Sequence, residues 1–260
     1  MFISQKTYLQ HPTKIISLVP SISELLYDLN LQTETIAITK FCVHPVTWHK
    51  TKEKVGGTKN LSIKKIIDLA PDLIICNKEE NVKEQIEEIS KLFPVYLSDV
   101  DSYESALQMI IDVGKITKRK MEAESIVNKI ENAFKNELST ITQHRTVAYI
   151  IWKDPYMTIG SGTFINDMLQ KIGLINIYNK ETRYPQITIE NLQHANPDVI
   201  LLSSEPYPFK EKHITAFKKL FERTKILLAD GEMFSWYGSR MLLIPEYFKK
   251  LLLEIEKNDN

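Results

Sequence analysis

No run in this sequence approaches the ~18 apolar residues that a membrane-spanning helix needs. The opening stretch, MFISQKTYLQHPTK, has neither the apolar core of about 7–15 residues nor the small-residue cleavage site of a secretory signal. Taken as it stands, the chain is expected to be cytoplasmic, and periplasmic or lipid-anchored if a leader precedes it. Cysteine is scarce: only Cys42 and Cys76 occur, each in or beside an apolar run, and two cysteines do not build a disulfide framework. Neither charge is in excess. Lys plus Arg and Asp plus Glu number 33 each, so no overall positive field exists to hold nucleic acid or an acidic membrane surface. The patterns GxxxxGK[ST], GxGxxG and GxSxG do not occur, which removes the usual phosphate-binding and hydrolase signatures.

What is present is an ordinary globular composition, 43% hydrophobic and 25% charged over 260 residues, enough for one large domain or two. Short β-branched runs recur, each followed by a helical pattern: Lys14–Val19, Thr35–Lys40, Leu73–Cys76 and Val95–Val100, then Val147–Trp152, Val199–Ser203 and Lys225–Ala229. Strands alternating with helices imply parallel sheets wound by right-handed crossovers. Between the two sets, Ile116–Asp154 contains neither Gly nor Pro, and Ile126, Val127, Ile130, Ala133, Phe134 and Leu138 recur at helical spacing. One amphipathic helix is therefore expected over about Lys118–Ile141. The organisation reads as an amino-terminal α/β lobe (1–115), a connecting backbone helix (116–142) and a carboxy-terminal α/β lobe (143–260). A gapless internal repeat agrees with it: SIKKIIDLAPDLIIC at Ser62–Cys76 matches TIENLQHANPDVILL at Thr188–Leu202.

In open α/β sheets ligands bind beyond the carboxyl ends of the strands, so the residues directly after each strand are the ones to inspect. Trp48 follows the second strand in FCVHPVTWH, Trp152 ends the first strand of the second lobe, and Trp236 lies in DGEMFSWYGSR after the last strand. Tyr184, Tyr207, Phe234 and Tyr237 also fall in loops. Large aromatics usually serve the core. Their concentration at strand ends points instead to a broad, flat, apolar ligand gripped from two sides. Cys42-x-His44, with His49 near, offers soft and imidazole donors in one loop, suited to zinc, copper, or cobalt or iron within a macrocycle. Asn77-Lys78-Glu79-Glu80-Asn81 is polar at an expected cleft mouth, though a solvated helix start reads the same way. Ser21-x-x-Glu24 matches a capping box, and Gly160-Ser161-Gly162-Thr163 a helix start able to offer backbone N–H groups to an anion.

Taken together, KIISLVPSISELLYDLNL, VGG with LSIKKIIDLAPDLII, the long helix, TIGSGTFINDMLQKIGLINIY, RYPQITIENLQHANPDVILL and the closing aromatic loop resemble a known group over nearly all of Lys14–Ile255. The group is the helical-backbone (class III) solute-binding proteins of ABC importers, and the resemblance is to the cobalamin-binding members in particular. It implies two doubly wound parallel-sheet lobes joined by one long rigid helix, with a corrinoid held between aromatic side chains of both lobes. By position Phe41 stands where the family often has a cleft tyrosine, Trp152 lies beside a cleft aromatic, and Tyr184 takes the place of a cleft tryptophan. Tryptophans of the family align near Thr58 and Asn77, where this chain has none. The family docks on its membrane permease through one exposed Glu per lobe; Glu190 fills one such position and Lys64 the other.

The expected function is thus non-catalytic: binding of a corrinoid such as cobalamin, or a related small-molecule metal chelate, in the inter-lobe cleft of a monomer linked to an ABC permease, with no cofactor and no nucleic acid. The expected ligand contacts are Phe41, Cys42, His44, Trp48, Asn77, Trp152, Tyr184, Phe234, Trp236 and Tyr237, with His44 as an axial metal donor and Glu190 for docking. Two alternatives stay open: an iron-siderophore or haem binder, for which Arg183 and Arg240 are the available cations, and a corrinoid- or metal-handling enzyme using Cys42, His44 and Glu232. No nucleophile, base and orienting group occur at motif spacing for the latter.

Overall fold

The structure, a computed structural model, describes residues 2–3, 11–138 and 144–257. Its elements run β1 (Ile15–Ser17), α1 (Pro20–Asp28), β2 (Thr35–Ile38), α2 (Val46–Thr51), β3 (Glu53–Lys54), β4 (Gly56–Gly57), β5 (Asn60–Leu61), α3 (Ile63–Leu69), β6 (Leu73–Asn77), α4 (Lys83–Ser90) and β7 (Val95–Ser98). Helices α5 (Tyr103–Ile116) and α6 (Lys120–Leu138) follow. Then come β8 (Thr146–Trp152), β9 (Tyr156–Thr158), α7 (Phe164–Lys171), β10 (Ile175–Asn176), β11 (Gln186–Ile187), α8 (Ile189–Ala195) and β12 (Val199–Ser203). The chain closes with α9 (Glu211–Lys218), β13 (Lys225–Ala229), α10 (Gly231–Ser235), a 3-10 turn (Ser239–Leu242) and α11 (Ile244–Glu256).

Two compact units result, and neither is one continuous stretch of chain. The first takes Met1–Val100, Glu104–Glu131 and Tyr237–Leu242; the second takes Asp101–Tyr103, Asn132–Trp236 and Leu243–Asn260. Helix α6 thus supplies residues to both. It starts at Lys120 rather than Lys118 because Lys118 sits at φ 60°, a left-handed backbone that ends α5 and cannot belong to a right-handed helix. Of the expected far end, residues 139–141 lie outside the described residues.

The first unit carries the sheet β3-β2-β1-β6-β7, with every pair parallel. Strands β1 and β6 are buried along their whole length, the continuous apolar pattern of a strand covered on both faces. Ile16, Leu18, Ile74, Cys76 and Val95 share one core cluster with Ile66 of α3 and Ile86 and Ile89 of α4. In the second unit β8, β12 and β13 are parallel neighbours, but β9 folds back antiparallel on β8, and β11 pairs antiparallel with β9. The expectation of a purely parallel sheet therefore holds for its centre and not for this edge. Asp154 at φ 63° and the Asp154-Pro155 bond sit in the tight turn that joins the two strands. The core here joins Ala148, Ile150, Ile200 and Leu202 to Phe209, Phe217 and Phe221.

The sequence repeat is also a structural one. Helices α3 and α8 both end in a left-handed residue, Ala70 (φ 46°, ψ 63°) and Asn196 (φ 44°, ψ 60°), and each is followed by Pro-Asp and a fully buried strand. The two aspartates do the same work. Asp72 accepts from the backbone N–H and hydroxyl of Thr13 at 2.7 and 2.8 Å. Asp198 accepts from the backbone N–H and hydroxyl of Thr146, both at 2.7 Å. Each carboxylate ties the start of its unit's first long strand to the end of the repeated helix.

One local expectation fails. Ser21 and Glu24 do not form a capping box, because α1 begins at Pro20 with Val19 as its cap and no side-chain cap bond. Ser21 is already inside the helix, and Glu24 is taken by Arg240.

Candidate functional site

In the first unit the order of strands reverses at β1, whose neighbours β2 and β6 are reached by opposite crossovers, so the carboxyl ends of β1 and β6 form the switch point. Asn81 knits the loops there: its amide donates to the carbonyls of Leu18 and Thr58, both at 3.2 Å, and its oxygen accepts from Asn77 N–H at 2.9 Å. Phe41, three residues after β2, is 51% exposed. Its ring lies against Gly57, where even a methyl group would come within 3.0 Å of it, and the Lys40 ammonium stands 5.1 Å from the ring centre. Glu80 and Tyr237 lie close together at this end. Burial raises the Glu80 carboxyl above its usual range against the pull of Lys59, and burial together with the charge of Glu80 pushes the Tyr237 phenol up.

In the second unit the switch point falls between β8 and β12, because the chain leaves β8 toward β9 on one side and returns as β12 on the other. Trp152, the last residue of β8, is 39% exposed and meets Tyr207 edge-on with ring centres 5.8 Å apart. At the carboxyl ends of β12 and β13 an open pocket of about 530 Å³ is lined by Ser204, Glu205, Leu228, Ala229, Asp230 and Glu232. The Glu205 carboxylate accepts from the Trp236 indole N–H at 2.9 Å and the Ser235 hydroxyl at 3.0 Å. Gly231 makes this placement feasible, since a Cβ there would lie 2.4 Å from the Glu205 side chain. Asp230 caps α10 by accepting from Glu232 N–H at 3.0 Å.

The periplasmic binding protein family matches residues 15–226. The chain belongs to that family. Members bind solutes rather than transform them, and this periplasmic binding protein is accordingly non-catalytic. It is 28% identical over 206 residues to the ABC transporter substrate-binding lipoprotein YvrC of Bacillus subtilis, a match that covers 75% of this chain and 65%, less than two thirds, of YvrC. It is 26% identical over 198 residues to a vitamin B12-binding protein of Vibrio cholerae, covering 73% of this chain and 70% of that protein. The crystal structure of the periplasmic vitamin B12 binding protein BtuF of Vibrio cholerae superposes with a TM-score of 0.80 at 20% identity, over 95% of this chain and 99% of BtuF. A periplasmic haem-binding protein from Pseudomonas aeruginosa shares the fold as well, with a TM-score of 0.81 at 16% identity over 92% of each chain.

Against this family the expected contact residues divide. Phe41 and Trp152 are exposed, and His44 and Tyr184 are half-buried in loops. Four others are buried here as core or scaffold residues. Cys42 is fully buried, with its sulfur 3.0 Å from the Ser23 hydroxyl and 3.1 Å from that of Thr39, and burial raises its thiol pKa. Trp48 is turned inward onto Tyr27, with ring centres 5.6 Å apart. Phe234 lies between Tyr149 and Phe248, each at 4.8 Å. Asn77 accepts from the N–H groups of Glu79 and Glu80 and donates to Ser98, so it closes a turn. Trp236 and Tyr237 are buried apart from a small exposed remainder. With the Cys42 sulfur turned into the core, Cys42 and His44 do not form a donor pair; among the described residues no three His, Cys, Asp or Glu side chains gather as a metal site.

Glu190 is exposed in the first turn of α8, its carboxyl held below the usual range by its own backbone N–H and by the Thr188 hydroxyl. The matching Lys64 is exposed and pairs with Asp68 at 2.7 Å. At the site in the second unit Glu205, Asp230 and His213 escaped the sequence reading. The signal for Glu205 was available in the polar Ser-Ser-Glu-Pro directly after a fully apolar strand. Nothing local distinguishes His213 from a surface residue of an amphipathic helix.

Proposed function

We propose that this protein binds a corrinoid such as cobalamin, as cargo rather than cofactor, and hands it to an ABC permease. The observation that carries the reading is the exposed Trp152 ring at the carboxyl-end switch point of the second unit, backed by half-buried Tyr207, and exposed Phe41 in the first unit. Exposed rings at such positions suit the flat face of a macrocycle, and the similarity to a vitamin B12-binding protein supports the choice of ring. The division of the chain near residues 115 and 142 into lobe, connecting helix and lobe belongs to the same reading, as do a monomeric state and docking through Glu190. A periplasmic or lipid-anchored location is part of the same reading, supported by the relative named as a lipoprotein; among the described residues no helix is long and apolar enough to cross a membrane.

Calorimetry and visible absorption with cobinamide, cobalamin, haem and a ferric hydroxamate test it. A corrinoid is expected to bind with a dissociation constant below about 1 μM, roughly −8 kcal/mol. His44→Ala is expected to remove any imidazole-dependent change in the corrinoid spectrum. Binding of haem alone, or of no corrinoid, overturns the reading.

A further inference from the structure

His213 is a buried imidazole in the second unit that the proposed binding surface does not use directly. It lies near the start of α9, and its Nδ1 accepts from the backbone N–H of Lys210 at 2.8 Å. A ring that accepts at Nδ1 carries its proton on Nε2. That Nε2 points toward the Tyr207 hydroxyl, 3.5 Å away. The rings agree with the polar contacts: His213 meets Tyr207 edge-on at 5.6 Å and Phe209 at 5.3 Å, and Tyr207 and Phe209 lie 4.6 Å apart. Phe209 is buried and belongs to the unit's core cluster. Tyr207 in turn donates its backbone N–H to Ile151 at 3.3 Å and presents its ring to Trp152. A continuous chain of contacts therefore runs from the helix start, through the imidazole, to the exposed indole.

We propose that His213 is a positioning residue: its neutral ring fixes the Tyr207 loop, and thereby holds Tyr207 against Trp152 as an aromatic platform for the flat ligand. The proposal rests on the binding reading above and deepens it by naming the residue that holds Tyr207 in place. Protonation is the natural way to break the arrangement, because a second N–H on Nδ1 would face the Lys210 N–H and convert an attraction into a repulsion. Of the influences on His213, only a backbone hydrogen bond of Lys210 favours that proton, and the larger ones oppose it. Tyr207 and Phe209 bring no negative charge, and Lys210 and Lys212 beside it and Lys153 at the end of β8 are positive. Burial first, then the charges of Lys212 and Lys153, lower the His213 pKa from its ordinary value. A histidine with a depressed folded pKa contributes its full stabilisation above the unfolded value near 6.5, and loses it as the pH falls below that.

Two measurements decide the proposal. The first needs no ligand: Trp152 fluorescence, isolated by subtracting the Trp152→Phe variant, is followed from pH 8 to pH 5. A change beginning below about pH 6.5 is expected in the parent and absent from His213→Phe, which keeps a ring but cannot accept from Lys210. A Trp152 signal that is flat in the parent, or unchanged by the substitution, overturns the positioning role. The second is cobinamide affinity over the same range. Parent affinity is expected to fall with acidification, while His213→Phe and Tyr207→Ala bind about tenfold more weakly at pH 7.5 and show little dependence on pH. Wild-type affinity and pH profile in both variants overturns the platform. Failure of cobinamide to bind the parent at any pH sinks the corrinoid reading instead, and leaves the positioning role to be decided by fluorescence.

Discussion

At the scale of single residues, the two repeated aspartates show how a polar side chain organises a strand start. Asp198 stays 43% exposed, yet the Thr146 hydroxyl and backbone N–H hold its carboxyl below its usual range, with Arg145 adding a weaker pull. A depressed folded pKa means stabilisation that is complete above about pH 3.9 and is lost as the pH falls toward the folded value. Thr146→Ala removes one of the two donors and is expected to cost at most about 1 kcal/mol, because water replaces part of the bond at a half-exposed carboxylate. Asp198→Asn should flatten the acid limb of the stability curve between about pH 4 and pH 2. Urea unfolding at pH 7 and pH 3 checks both, and an unchanged acid limb in Asp198→Asn would count against the assignment. Residue-scale legibility was uneven for a related reason. Trp152 was readable as a strand-end aromatic because it ends β8, whereas Phe41 was singled out only by the family resemblance. Cys42, Trp48 and Phe234 also lie in loops or short helices near strand ends, yet point inward, and only three-dimensional packing against Ser23, Tyr27 and Tyr149 decides that direction.

At the scale of elements, β1, β2, β6, β7, β8, β12 and β13 were legible as short apolar runs, most plainly β6 and β12, which are buried along their whole length. The two-residue strands were not, since Glu53–Lys54, Ile175–Asn176 and Gln186–Ile187 are too short to carry a period. The αβ turns of the repeat are the clearest case in which sequence spacing and backbone agree. Asn at the left-handed position after α8 is an ordinary choice, whereas Ala70 after α3 pays for its Cβ. Ala70 is exposed, so replacing it removes no buried methyl group. Ala70→Gly is expected to stabilise the protein by about 0.5–1 kcal/mol, the relief of left-handed strain exceeding the added freedom of the unfolded chain. Asn196→Gly should be near neutral. Chemical denaturation of the two variants side by side distinguishes this from a general glycine effect, and a destabilised Ala70→Gly protein would contradict it.

At the scale of the whole molecule, a short stretch near the carboxyl terminus matters to a unit built mostly from the amino-terminal half. Tyr237–Leu242 belongs to the first compact unit although the chain on either side belongs to the second. Gly238, at φ 98°, lets the backbone approach α1, where a Cβ would lie 3.3 Å from the Ser21 carbonyl. Arg240 then closes on Glu24 of α1 with two parallel bonds, Nε to one carboxylate oxygen and a terminal nitrogen to the other, both at 2.8 Å. The guanidinium is buried and the carboxylate half-buried. Breaking such a pair from one side strands a charge in a poorly solvated place, while removing both charges does not. Glu24→Leu is therefore expected to cost several kcal/mol, toward the lower end of the roughly 3–5 kcal/mol typical of one-sided losses because Glu24 keeps some contact with water. The double variant Glu24→Leu, Arg240→Leu should recover a large part of that cost. Equilibrium unfolding of the parent, both single variants and the double variant gives the coupling directly; an interaction energy within about 0.5 kcal/mol of zero would mean that the pair only decorates the segment. A large coupling would mean that the first unit is incomplete until the end of the chain has been made.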